Sequence, residues 1–214
     1  MALSEQQRQK KLLKKKQKRA AVVKQVITSM TMDKAVAYAK YPIHECLIPT
    51  NLFRSGLGEV IVARRVSNDK VAMGSFVIDV FCLGVKDALF KVFSEHEYED
   101  IKSRFAEGTG RTFEKLHQTC AKKLVDGVVA YAKDLGFSPH PDYNNVKNIF
   151  GDIDASVCPV SYSYGKEGKP FYMNGPYESE AKIQKIIATL QKKCGEGGFG
   201  VVYRIGEDED DDFF

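Results

Sequence analysis

Apolar residues fall at two spacings along this chain, and each predicts its own kind of element. Val60-Ile61-Val62-Ala63-Arg64-Arg65-Val66 leads into the turn-forming Ser67-Asn68-Asp69-Lys70, after which Val71 to Leu83 is almost wholly apolar. This is the pattern of a β-hairpin whose second arm is buried on both faces and stands inside a sheet. Ile43 to Ile48 supplies a third strand. Val160, Tyr162 and Tyr164 alternate with Ser161 and Ser163, then pass through Gly165-Lys166-Glu167-Gly168-Lys169 into Phe171-Tyr172-Met173, which predicts a second hairpin. A last strand is expected from Gly200 to Arg204.

The other spacing is helical. Phe113, Leu116, Cys120, Leu124, Val128, Tyr131 and Leu135 step by three or four and stop before Gly136, the stripe of an amphipathic helix with its C-terminal glycine. Ser94-Glu95-His96-Glu97 is a capping box that opens a helix toward Phe105. Pro139-His140-Pro141 is a stiff loop, with Asp142 the expected N-cap of a helix through Phe150. The final helix, Glu178 to Lys193, has acids first, bases last and Gly195 beyond. Ile183, Ile186, Ile187, Leu190 and Cys194 form its buried stripe. A short helix is expected after Asp33, through Ala39, ended by Pro42. Strand pairs and helices segregated in this way indicate an α+β fold, a sheet of hairpins packed by two or three amphipathic helices.

The N-terminal stretch differs. Ser4-Glu5-Gln6-Gln7 is a capping box, and a helix without Gly or Pro is expected to follow it. Val22, Val23, Val26, Ile27 and Met30 give its distal half a face that can dock. Arg8 to Arg19 has only Leu12 and Leu13 to bury, and is expected to project into solvent. Three parts follow: a basic helical arm (1–32), one α+β domain (33–205) and an acidic tip (206–214).

Charge sharpens that division. The chain of 214 residues has a formal net charge of only +4. Yet residues 1–24 hold nine Lys/Arg against one Glu, and Glu207 to Asp212 are six consecutive acids. A composition 43% hydrophobic and 28% charged is that of a globular chain able to build its own core. No apolar run approaches the ~20 residues of a membrane span, and no apolar segment marks a secretory signal. Cys46, Cys82, Cys120, Cys158 and Cys194 are odd in number and far apart, which favours reduced thiols and a cytoplasmic location.

The candidate chemistry follows from these ends. Arg8, Lys10, Lys11, Lys14, Lys15, Lys16, Lys18 and Arg19 fall all round a helix, which suits phosphates approached from several sides. The expectation is a non-enzymatic protein without a cofactor, bound to RNA or the ribosome. The tip, an acid run ending in Phe213 and Phe214, resembles the terminal peptide of bacterial single-stranded-DNA-binding proteins. That resemblance implies that the Phe pair docks a protein partner, or that the tip competes with nucleic acid for basic surfaces. It covers the tail alone, and the Ile-Pro that usually precedes the final Phe is absent.

Two enzyme readings stand beside it. Asp79, Asp87, His140, Asp142, Asp152 and Asp154 are the set a metal-dependent phosphodiester hydrolase would use, although their spacing matches no defined metal motif. Gly195-Glu196-Gly197-Gly198-Phe199-Gly200-Val201-Val202 resembles the glycine-rich loop of protein kinases. Too little chain follows it to hold the catalytic and metal-binding residues, so it is read as a helix end, a turn and a strand. Cys82 near Lys86, and Cys46 near His44, lack a base and its orienting group, and are read as buried thiols. The aromatic set Tyr162, Tyr164, Phe171 and Tyr172, beside Lys166 and Lys169, could stack bases, but such a stripe is more often core. Finally, Ile43-His44-Glu45-Cys46, Cys82-Leu83-Gly84-Val85-Lys86, His140-Pro141-Asp142-Tyr143, Phe150-Gly151-Asp152-Ile153-Asp154 and Gly168-Lys169-Pro170-Phe171-Tyr172 together resemble a family of uncharacterised bacterial proteins. The resemblance spans about residues 41–200 and implies no activity or cofactor.

Overall fold

A computed structural model describes residues 34–109, 112–175 and 178–203, with side chains from 105 to 109 left aside. They belong to the second of two units into which the chain divides, the one that starts at Lys34. Its frame is a five-stranded antiparallel sheet in the order β4-β3-β2-β1-β5. In chain order, the elements are β1 (Ile43–Pro49), α1 (Leu52–Ser55), β2 (Leu57–Ser67), β3 (Lys70–Asp79), β4 (Gly84–Ser94) and α2 (Glu95–Thr109). Then come β5 (Phe113–Lys115), α3 (Gln118–Asp134), α4 (Tyr143–Val146), β6 (Phe171–Met173), α5 (Glu180–Cys194) and β7 (Gly200–Val202). Short 3-10 turns cover Ala35–Tyr38, Lys147–Phe150 and Ala155–Val157. The fold is α+β.

The β2–β3 hairpin turns where the sequence placed it, with Ser67 opposite Lys70 and the Ser67 hydroxyl 2.6 Å from the Asp69 carboxylate. β3 has a partner on each side, as its unbroken apolar run requires. Alternation along β2 sends Val60 and Val62 to one face and Ile61 and Ala63 to the other. On the first face, Val60, Val62, Ala72, Phe76 and Ile78 meet Ala121, Leu124, Val125 and Val128 of α3. On the second, Ile61, Ala63, Val71, Met73 and Phe93 meet Tyr98 and Ile101 of α2. Each Val, Leu, Ile, Met or Phe among them contributes about 1.5–3 kcal/mol when fully buried. A third cluster, with Cys82, Leu83, Leu135, Tyr172, Ile183, Ile186 and Leu190, holds α5 and β6 against the turn between β3 and β4.

The Ser94–Glu97 capping box forms, with each residue receiving the other's backbone N–H. Asp79, 8% exposed, closes the β3–β4 turn by accepting from the N–H groups of Phe81 (2.9 Å) and Cys82 (3.0 Å). Burial raises its pKa, and the Phe81 N–H bond works the other way. Arg64 is another buried charge, along with Asp79 and Glu45. Its Nε donates to the Ile149 carbonyl (2.6 Å), Nη2 to that of Phe150 (2.9 Å) and Nη1 to that of Tyr41. It therefore ties the 147–150 turn to β2 by gripping carbonyls at the end of that turn. Gly74 admits that turn, since a Cβ there would stand 3.0 Å from Ile149.

Four expectations are corrected. Phe113 begins a strand rather than a helix; it pairs with β1 opposite Pro49, and α3 starts only after His117, whose ring accepts from the Thr119 N–H. β4 went unforeseen because Lys86, Asp87 and Lys91 break its apolar pattern at an edge. Of the second hairpin only the tip forms, where Lys166 and Lys169 exchange both backbone hydrogen bonds: β6 pairs in parallel with β7, and Pro159 to Tyr164 lies along α3 as a strap. Tyr162 donates its hydroxyl to the Cys120 carbonyl and Tyr164 to that of Leu124, each at 3.2 Å. Two residues of extended chain cover about 6.6 Å and four of helix about 6 Å, so alternate tyrosines match successive turns. Lastly, Cys120 and Cys158 are joined by a disulfide, which the strap's attachment to α3 permits with their Cα atoms 5.0 Å apart. The cysteine count therefore no longer argues for fully reduced thiols.

Candidate functional site

Arg8, Lys10, Lys11, Lys14, Lys15, Lys16, Lys18 and Arg19 lie outside the described residues, as do Phe213 and Phe214. The described unit nevertheless has a basic face of its own. α5 buries Ile183, Ile186 and Leu190, which leaves Lys182, Lys185, Lys192 and Lys193 outward beside one acid, Glu180. Lys185, Lys192 and Lys193 surround a shallow depression of about 540 Å³, floored by Leu135, Gly136, Ala188 and Thr189. Among the described residues none of these three lysines has an ion pair. In the sequence they read only as a complement to the helix dipole; what turns them into a surface is the packing of α5 on Leu135.

A second cleft, about 290 Å³, opens between the end of α3, the edge of β4 and the start of α5. Leu83, Val85, Phe137 and Ile186 form its apolar wall, and Lys86, His140 and Lys182 its polar one. Behind Lys86 and Lys182 stands Glu178, whose carboxylate receives the Lys182 ammonium (2.8 Å), the Tyr172 hydroxyl (2.6 Å) and the Gly175 N–H (3.1 Å), with Lys86 at 3.7 Å. Burial alone would raise its pKa, but these partners hold it at about 2. Glu178 precedes the helix rather than starting it, because Ser179 is the N-cap.

Of the six residues proposed for metal or hydrolytic chemistry, three come together. One ligand atom each from Asp87, His140 and Asp142 lies within 4.8 Å of the others. The remaining three belong elsewhere: Asp79 caps its turn, Asp154 caps the 155–157 turn through the Ser156 N–H (2.8 Å), and exposed Asp152 stands in the field of Arg64. Asp142 holds the N-cap position of α4 without a side-chain cap bond.

The other candidates resolve into packing. Tyr172 is fully buried, and Lys166 Nζ lies 4.5 Å over the Phe171 ring. Cys46 is buried, which pushes its thiol up to about 12; Cys82 is raised further for the same reason. The glycine-rich string caps α5 at Gly195 (φ 74°), turns at Gly197 and enters β7 at Gly200. Among the described residues no helix is long and apolar enough to cross a membrane. No protein-family model, curated protein or solved structure matches the chain.

Proposed function

We propose that this chain binds a polyanion, RNA or the ribosome surface, and that it does so without a chemical step of its own. The observation that carries this is the arm: residues 8–19 include eight Lys/Arg and no acid. Phosphate neutralisation by such a segment releases counterions and is independent of sequence. Lys185, Lys192 and Lys193 of α5 add a second basic surface on the folded unit, around a depression whose lining holds no acid. The acidic residues 207–212 oppose both surfaces and lower the affinity when present.

Fluorescence anisotropy with labelled single-stranded and duplex RNA tests this. If about six cations engage phosphate, log affinity falls against log salt with a slope near −5 on duplex and −4 on single strands. Deleting residues 2–24 abolishes binding at low salt; deleting 207–214 strengthens it. Replacing Lys185, Lys192 and Lys193 together by Glu weakens it to a smaller extent. A full-length chain that ignores both RNAs in dilute buffer overturns the reading.

A further inference from the structure

The loop after α3 is pinned to the sheet edge. The His140 N–H donates to the Val85 carbonyl of β4 at 2.9 Å, and Pro139 and Pro141 stiffen the chain on either side. This brings His140 Nδ1 to 3.7 Å from an Asp87 oxygen and 3.6 Å from an Asp142 oxygen. Neither distance is a hydrogen bond. The bond that Nδ1 does make is as an acceptor, from the Asp142 N–H at 3.4 Å. The Asp87 carboxylate also accepts, from the Ala88 N–H at 2.8 Å, and is oriented by it. Two carboxylates and one imidazole nitrogen thus face one space on a backbone that holds them there, and an ion bound there takes the Nδ1 lone pair over from the long 3.4 Å bond to the Asp142 N–H.

The spacing fits an ion. A tetrahedral site with metal–ligand bonds of 2.0–2.2 Å has ligand-to-ligand edges of about 3.4 Å. The two His140 edges, at 3.6 and 3.7 Å, need to close by only a few tenths of an ångström, and the edge between the two carboxylates lies within 4.8 Å. One imidazole with two carboxylates suits zinc-like ions better than magnesium or calcium, which take oxygen alone. Three protein ligands leave a fourth position for water or a ligand oxygen, and the His140 ring also lines the cleft that holds Lys86 and Lys182. The other such cluster among the described residues, His44, Glu45 and Glu99, is already occupied by cations. There, Lys102 and the Tyr98 hydroxyl hold Glu45, and Arg65 Nη2 lies 3.2 Å from both ring nitrogens of His44.

We propose that Asp87, His140 and Asp142 form a divalent transition-metal site of the zinc class at the mouth of the cleft. It stands apart from the polyanion reading, since it shares no residue with the arm or with the basic depression on α5. The test uses the tag-free full chain after chelator treatment, titrated with zinc, with magnesium, and with cobalt for its visible spectrum. One equivalent of zinc binds, magnesium in the same range does not, and zinc shifts the His140 imidazole resonances more than those of His44, His96 and His117. Asp142→Asn and Asp87→Asn, both at exposed side chains, each weaken zinc at least tenfold, as does His140→Ala; Cys194→Ser leaves it unchanged. Zinc binding that survives both aspartate substitutions, that follows Cys194 or the His96–Asp100 pair, or that is matched by magnesium overturns the assignment, as does no binding at all.

Discussion

Removing the Cys120–Cys158 bond is the most direct probe of how the strap is held. The two cysteines are 38 residues apart, and the loop they close contains most of α3, all of α4 and the 147–150 turn gripped by Arg64. In the loop-entropy account, opening a closed loop of that size returns about 13 cal/mol/K to the unfolded chain, or about 4 kcal/mol at room temperature. With an urea m-value of about 2 kcal/mol/M, the midpoint falls by about 2 M. The measurement is urea unfolding of oxidised protein, of reduced protein and of the Cys120→Ser/Cys158→Ser double variant. Far-UV circular dichroism or tyrosine fluorescence follows it, since the chain has ten Tyr and no Trp. A thiol titration of the denatured, unreduced protein runs alongside and should find three free thiols, Cys46, Cys82 and Cys194. Five titratable thiols, or equal midpoints with and without reductant, refute the reasoning.

Two further outcomes follow from the same packing. Because the Glu178 pKa is lowered from its ordinary 4.5 to about 2, its contribution is complete above pH 4.5 and is lost as pH falls toward 2. Melting temperatures of Glu178→Gln should therefore depend less on pH than wild type across that window, and an unchanged profile counts against the ion-pair geometry. Gly127→Ala places a Cβ 2.1 Å from the Tyr164 hydroxyl, so it must lift the strap off α3. A loss of about 1–3 kcal/mol is expected, with faster proteolysis near 160–164, while Tyr164→Phe, which keeps the ring but not the bond to Leu124, should cost about 1 kcal/mol.

The strands and helices legible beforehand were those with one clear solvent. β3 is almost wholly apolar because α3 covers one of its faces and α2 the other, and α5 shows its stripe because only one face is covered. Where the covering partner lay far along the chain, periodicity misled. Tyr162 and Tyr164 alternate like a strand, yet their hydroxyls answer carbonyls of a helix some forty residues earlier. Phe113 keeps helical step with Cys120, but the open edge of β1 claims it. The same holds for chemistry. Residue types selected Asp87, His140 and Asp142 together with three other aspartates, and only the return of the 136–142 loop to Val85 separates the two groups. The basic face of α5 needed the packing of that helix on Leu135 before its lysines shared one surface.

The guanidinium of Arg64 is a fixed fastening between the sheet and the turn packed on it. Burial depresses its pKa, but an arginine keeps its proton at any pH that leaves the fold intact. The grip on Ile149 and Phe150 therefore has no off state, and the downstream wall behind the Asp142 loop is anchored to the central sheet. Upstream, α3 gives way at Gly136, with its φ of 94°, to the loop that carries His140, and the bond from the His140 N–H to Val85 fastens that loop to the same sheet.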